Sequence, residues 1–153
     1  MNMRFLQVLA AGVLALAACG TAAASDGCAM TLGASDAMRY DAAAISIPAA
    51  CKEFTITLRH TGTLPVAAMG HDVVIASAAD MPGVLADGIA AGLDNGYVKP
   101  GDPRVVAHTR LVGGGETASV TFPVAKLAKD GPWVFFCSFP GHSALMKGTL
   151  SIR

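Results

Sequence analysis

The chain has 153 residues, with 11 Lys+Arg against 11 Asp+Glu, 53% hydrophobic residues and 14% charged ones. That length suits one compact domain or two very small ones. A balanced charge without a Lys/Arg cluster argues against a nucleic-acid or anionic-membrane binder, and ample apolar content argues against disorder.

The first 24 residues supply 18 of roughly 81 hydrophobic residues, which leaves the other 129 at about 49%, an ordinary globular value. Arg4 forms a short basic region, and residues 5–18 form a mostly apolar stretch too short to span a membrane, which needs about 20. Residues 1–24 therefore read as an export signal, with two competing processing sites. Ala22-Ala23-Ala24 before Ser25 follows the small-x-small rule of secretory cleavage. Leu16-Ala17-Ala18-Cys19 resembles a bacterial lipobox, which would make Cys19 a lipidated N-terminus. Either route exports residues 25–153 as a single domain, tethered to the membrane only if Cys19 is acylated. Both routes remove Cys19 from the disulfide count and leave Cys28, Cys51 and Cys137, an odd number in an oxidising compartment. The simplest resolution pairs Cys28 with Cys51. Cys137 then needs burial, reactivity or a metal to explain it.

In chain order, residues 43–48 suit a short strand. Glu53–His60 (EFTITLRH) alternates, with Phe54, Ile56, Leu58 and His60 on one face and Thr55, Thr57 and Arg59 on the other. Residues 72–77 form another short strand. Residues 78–93 break the pattern, with Met81, Val84, Leu85, Ile89 and Leu93 at helical spacing and Pro82 tolerable in a first turn. Strands follow at 119–124, 133–138 and 148–153. Short strands separated by Gly/Pro turns, with one helix, indicate an all-β antiparallel sandwich or barrel.

The chemistry concentrates in residues 137–146 (CSFPGHSALM), a C-x4-H-x3-M spacing at a strand end, with a further histidine far upstream in Met69-Gly70-His71. Two imidazoles, one thiolate and a weak thioether suit copper cycling between its oxidation states, whereas zinc prefers four strong tetrahedral ligands. A lone strand cysteine is usually a small buried hydrophobe, and a lone methionine usually core packing. The odd thiol, the ordered spacing and His71 together favour a metal. His60, on the inward face of its strand, reads as a satisfied buried histidine, and His108 as a solvated one.

These residues resemble the azurins, within the blue-copper cupredoxins. The resemblance runs from Cys28 to Arg153 through residues 60–65 (HTGTLP), 69–71 (MGH), 79–81 (ADM), 97–102 (YVKPGD), 104–109 (RVVAHT) and 135–150 (FFCSFPGHSALMKGTL). It implies a cupredoxin-like Greek-key β-sandwich or barrel of about eight strands with one inserted helix. It implies one copper ion held by His71, Cys137 and His142, with Met146 a long axial ligand and the Gly70 carbonyl opposite. It also implies the Cys28–Cys51 disulfide, in agreement with the cysteine count. Asp72 and Ser138 would brace the ligands. An apolar patch of Met38, Leu64, Met69, Phe139, Pro140 and Gly141, with Ile89 nearby, would surround the edge of His142 as the electron port.

The implied activity is one-electron transfer, not catalysis, between transient periplasmic partners such as c-type cytochromes or copper/haem reductases. An alternative is copper binding for storage, delivery or resistance, but the Met/His-rich tracts usual in such proteins are missing. Two positions depart from the family pattern: Asp72 stands where azurins usually have Asn, and Val73 where many have Trp.

Overall fold

The computed structural model describes residues 27–127 and 131–153. The expected export signal, its lipobox and Cys19 lie outside these residues. Among the described residues, nine strands form two sheets: β1 (Ala29–Ser35), β2 (Arg39–Tyr40), β3 (Ala44–Ile47), β4 (Glu53–His60), β5 (Val74–Ser77), β6 (Ala107–His108), β7 (Thr117–Pro123), β8 (Trp133–Phe136) and β9 (Lys147–Ile152). The α-helices α1 (Val66–Met69) and α2 (Met81–Ala91) lie between them. One sheet has the order β2-β1-β4-β7 and the other β3-β9-β8-β5-β6. Four of the seven strand pairings join strands that are not consecutive in sequence, and both sheets keep free edges, so the architecture is a cupredoxin-like sandwich rather than a closed barrel.

The sheets are mixed, which corrects the antiparallel expectation. β1 runs parallel to β4, with Leu32 opposite Leu58, and β3 runs parallel to β9, with Ile45 opposite Leu150. Between β1 and β4 the chain crosses to the second sheet to form β3, then returns. That detour brings β4 back alongside β1 in the same direction without the helical crossover that parallel pairs usually need.

β4 matches its alternation: Phe54, Ile56, Leu58 and His60 are buried, while Thr55 and Thr57 are half-buried and Arg59 is exposed. Their inward side chains meet Leu32, Ile45, Ile47, Ile75, Phe122 and Phe135 between the sheets. Burying each such side chain contributes about 1.5–3 kcal/mol. β5 (VIAS) is buried on both faces, because Ile75 points into this core while Val74 and Ala76 pack with Phe136, Val98 and Val84 of α2. The helix thus seals the outer face of the strand that follows His71. Among the described residues, no helix is long and apolar enough to cross a membrane.

Candidate metal centre

His71, Cys137 and His142 converge at one end of the sandwich, where one nitrogen or sulfur atom from each lies within 4.8 Å of the others. Cys137 Sγ stands 4.0 Å from His71 Nδ1 and 3.7 Å from His142 Nδ1. Metal–sulfur and metal–imidazole bonds of about 2.3 and 2.0 Å would span roughly 4.3 Å end to end, so one ion can touch the sulfur and either nitrogen together. All three residues are at least 96% buried. A soft thiolate beside two imidazoles is a donor set that copper accepts in both of its oxidation states.

The backbone brings these donors together. Cys137 directly follows β8, and its N–H donates to the Met146 carbonyl at 3.0 Å, which sets Met146 beside it at the start of β9. Between them the chain turns at Gly141, whose φ of +84° suits glycine, before a single 3-10 turn at His142–Ala144. The Met146 and Leu145 N–H groups both donate to the His142 carbonyl. Met146 is completely buried. Upstream, a Cβ on Gly70 would lie 2.6 Å from the Val66 carbonyl oxygen and 3.2 Å from the Phe139 ring, so only glycine fits between α1 and that ring. The Gly70 carbonyl oxygen lies 3.8 Å from Cys137 Sγ.

His71 is fixed from several sides. Its Nε2 donates to the Ser35 carbonyl at the end of β1, at 2.9 Å, which turns a bare Nδ1 lone pair toward Cys137. Its backbone forms a two-bond bridge with Val112, and its ring stacks on His60 at 4.4 Å. His60 is satisfied, as expected: Nδ1 accepts from the Gly62 N–H and Nε2 donates to the Met69 carbonyl. His108 is exposed, also as expected.

Burial holds the donors in neutral forms. It pulls His71 down to about 4 and lowers His142, which keeps both imidazoles unprotonated at neutral pH. It pushes the Cys137 thiol well above its ordinary 9, and Asp72 adds to that rise. Asp72, completely buried, is pushed up to about 6 by desolvation, while hydrogen bonds from Ser138 act against the rise. The Asp72 carboxylate accepts from the Ser138 N–H and hydroxyl, which links the residue after His71 to the residue after Cys137.

The expected patch residues lie in several places. The Phe139 ring lies 4.5 Å from the His142 ring and 5.4 Å from Tyr97, and with half-buried Met69 it covers the metal end. Leu64, Pro140 and Gly141 are exposed, and Met38 is half-buried against the main core. Ile89 is 59% exposed on α2, a helix whose buried face packs on the second core cluster. Leu145, not singled out from sequence, is 61% exposed next to Met146.

Ser35, Tyr40, Thr109 and Val112 also shape the centre and were not expected. Tyr40 donates its hydroxyl to the Asp72 carbonyl, and Thr109 Oγ1 accepts from the Val73 N–H at 3.0 Å. Ser35 and Val112 act through backbone atoms, which leave no trace in side-chain pattern. For Tyr40, the available signal was a hydroxyl-bearing aromatic two residues beyond Met38.

Residues 27–153 match the family described as copper binding proteins, plastocyanin/azurin family. The azurin of Bordetella pertussis is 52% identical over 148 residues, covering 97% of this chain and 98% of that protein. The azurin of Pseudomonas denitrificans is 53% identical over 126 residues, 82% of this chain and 98% of that protein. The azurin of Pseudomonas aeruginosa strain PAO1 is 52% identical over 126 residues, covering 82% of this chain and 85% of its own length.

Proposed function

The chain belongs to the plastocyanin/azurin family of copper-binding proteins, and we infer that it is a blue copper protein that carries single electrons, with one copper ion held by His71, Cys137 and His142. Met146 would add a weak thioether donor, and the Gly70 carbonyl a further contact. The observation that carries this reading is the buried placement of Cys137 Sγ within 4.0 Å of both imidazole Nδ1 atoms. Copper supplies a Cu(II)/Cu(I) couple there.

The protein's own residues keep the donors still. His71 is tied through Ser35, Val112 and the His60 ring, and Cys137 through Met146 and, via Ser138, Asp72. Donors held by two sheets lose little energy to rearrangement when the charge they surround changes. Met69 and Phe139 exclude water from one side of the centre. Exposed Leu64, Pro140, Gly141 and Leu145 leave an apolar rim suited to brief docking, where release must be fast.

The protein acts as a carrier between transient redox partners, such as c-type cytochromes or copper/haem reductases, rather than as an enzyme. Residues 1–24 direct export, and residues 25–153 work in the periplasm as one domain, free or tethered at Cys19.

The test is a visible titration of residues 25–153 with Cu(II), followed by reduction. An intense blue band that saturates at one copper and bleaches reversibly with one electron is expected, and Cys137→Ser should abolish it. Copper that binds without colour, or leaves on reduction, would overturn electron carriage in favour of copper handling.

A further inference from the structure

Tyr40 lies on β2, at the edge of the first sheet, with its backbone paired to Ala34 of β1. Its ring enters the core, 7% exposed and 5.5 Å from the Phe135 ring. From there its hydroxyl reaches the segment leading into β5 and donates to the carbonyl of Asp72, a completely buried residue. Burial, with any negative charge on nearby Cys137 or Asp72 adding to it, holds the phenol well above its ordinary 10, so it keeps its proton at any physiological pH.

Asp72 is gripped at both ends. Its carbonyl takes the Tyr40 hydroxyl, and its carboxylate takes the Ser138 N–H and hydroxyl at 2.7 and 2.6 Å. Ser138 Oγ also lies 3.1 Å from the Gly96 carbonyl, which ties in the loop before Tyr97. Tyr40 thereby joins the opposite sheet to the peptides adjoining both His71 and Cys137.

We propose that Tyr40 is a positioning residue for electron transfer, its phenol fixing the Asp72 peptide and so the spacing between the His71 and Cys137 segments. This rests on the ligand assignment given above. Without the hydroxyl, a buried carbonyl one residue from His71 loses its donor, an unfavourable state that it relieves by turning or by admitting water. Either response moves the Asp72 backbone, and the movement passes to the His71 ring or to the Ser138 clasp.

Tyr40→Phe keeps the ring against Phe135 and deletes one oxygen. The full exported protein and this variant are loaded with one copper and compared by visible and electron paramagnetic resonance spectra, electron self-exchange and copper release to a chelator. The variant should remain blue, with a shifted band and hyperfine splitting, self-exchange slowed several-fold and copper released several-fold faster. Unchanged spectra, exchange and release would overturn the proposal, even if thermal stability fell, because packing alone would then account for Tyr40. Should the variant not fold, proton NMR of the reduced parent decides. A slowly exchanging Tyr40 hydroxyl proton beside the Asp72 peptide supports the proposal, and a rapidly exchanging one overturns it. A parent that never turns blue removes the ligand assignment, and the proposal falls with it.

Discussion

Asp72 and Ser138 are joined by two short hydrogen bonds, with Oδ1 accepting the Ser138 N–H at 2.7 Å and Oδ2 accepting its hydroxyl at 2.6 Å. The residue after His71 thus clasps the residue after Cys137 across 66 positions of sequence. An ionised carboxylate is well matched to this role, because both groups that Ser138 offers are donors and the carboxylate only accepts. Its charge, however, sits in a fully buried place beside the donor atoms.

That charge should set the reduction potential. A buried negative charge favours the more positive oxidation state, so Asp72→Asn should raise the midpoint potential. A tenfold change in the relative affinity for the two states corresponds to about 59 mV for one electron, and a rise of that order is expected at pH 8, where the carboxyl is ionised. The asparagine oxygen still accepts the Ser138 N–H, so the blue band should persist. Protein-film voltammetry of both forms gives the answer, and an unchanged or lower midpoint would show that the carboxylate charge does not reach the metal.

Proton release on loading follows from the same pocket. Metal binding needs a thiolate and neutral imidazoles. Burial keeps the Cys137 thiol protonated well above 9 and holds His71 down to about 4, with His142 also lowered. Between pH 7 and 8 the histidines have nothing to release, so one proton should leave per copper, from Cys137. Apparent affinity then rises about tenfold per pH unit. Near and below pH 6 the Asp72 carboxyl, pushed up to about 6, holds a proton that the incoming cation expels, so the count rises toward two. Titration calorimetry in buffers of different ionisation enthalpy counts these protons. A count near zero at pH 7.5 would mean that the thiol is already ionised.

Much of this was legible in the sequence where a pattern was local. Glu53–His60 alternates strongly enough that its strand appears with the expected limits, and α2 falls inside residues 78–93. Cys137, His142 and Met146 lie within ten residues, so their convergence follows from one turn, and the odd cysteine count pointed to the same place. β1 was not legible, because Gly33, Ala34 and Ala29 blur its alternation and its parallel partner is β4. β6, with two residues, is too short to carry a period. The supports of His71 come from the Ser35 carbonyl, 36 residues away, and from the Val112 backbone. Backbone groups are common to every residue, so the sequence does not mark the ones that a fold will use. The resemblance to the azurins supplied the ligand roles, and the fold supplied what holds them.

The Cys28–Cys51 disulfide should stabilise the fold without touching the centre. It closes a separation of 23 residues and joins the starts of β1 and β4, the parallel pair formed without a helical crossover. His71 leans on the other end of β1, at Ser35, about 23 Å away along a seven-residue strand. Replacing both cysteines by serine should cost about 3 kcal/mol in the loop-entropy account, lowering the melting temperature of the metal-free protein by roughly 10 °C. The blue band and midpoint potential of the loaded protein should not change. A shifted midpoint would show that strain passes along β1 into the His71 contact.

Met146→Leu separates a weak axial donor from a principal one. Met146 is completely buried, and its carbonyl accepts the Cys137 N–H while its own N–H donates to the His142 carbonyl. These bonds belong to the backbone and survive the substitution, and leucine occupies nearly the same volume, so the turn carrying His142 should hold its shape. Only the thioether is lost. A weak axial sulfur steadies the oxidised ion more than the reduced one, which the thiolate and imidazoles already satisfy, so removing it should raise the midpoint by about 60 mV or more, the equivalent of a tenfold change in relative affinity. Copper should remain bound at one per chain, with an intense blue band. Voltammetry and a copper titration of the variant measure both quantities. If copper binding collapses instead, Met146 is a principal ligand, and the centre depends on four strong donors rather than three.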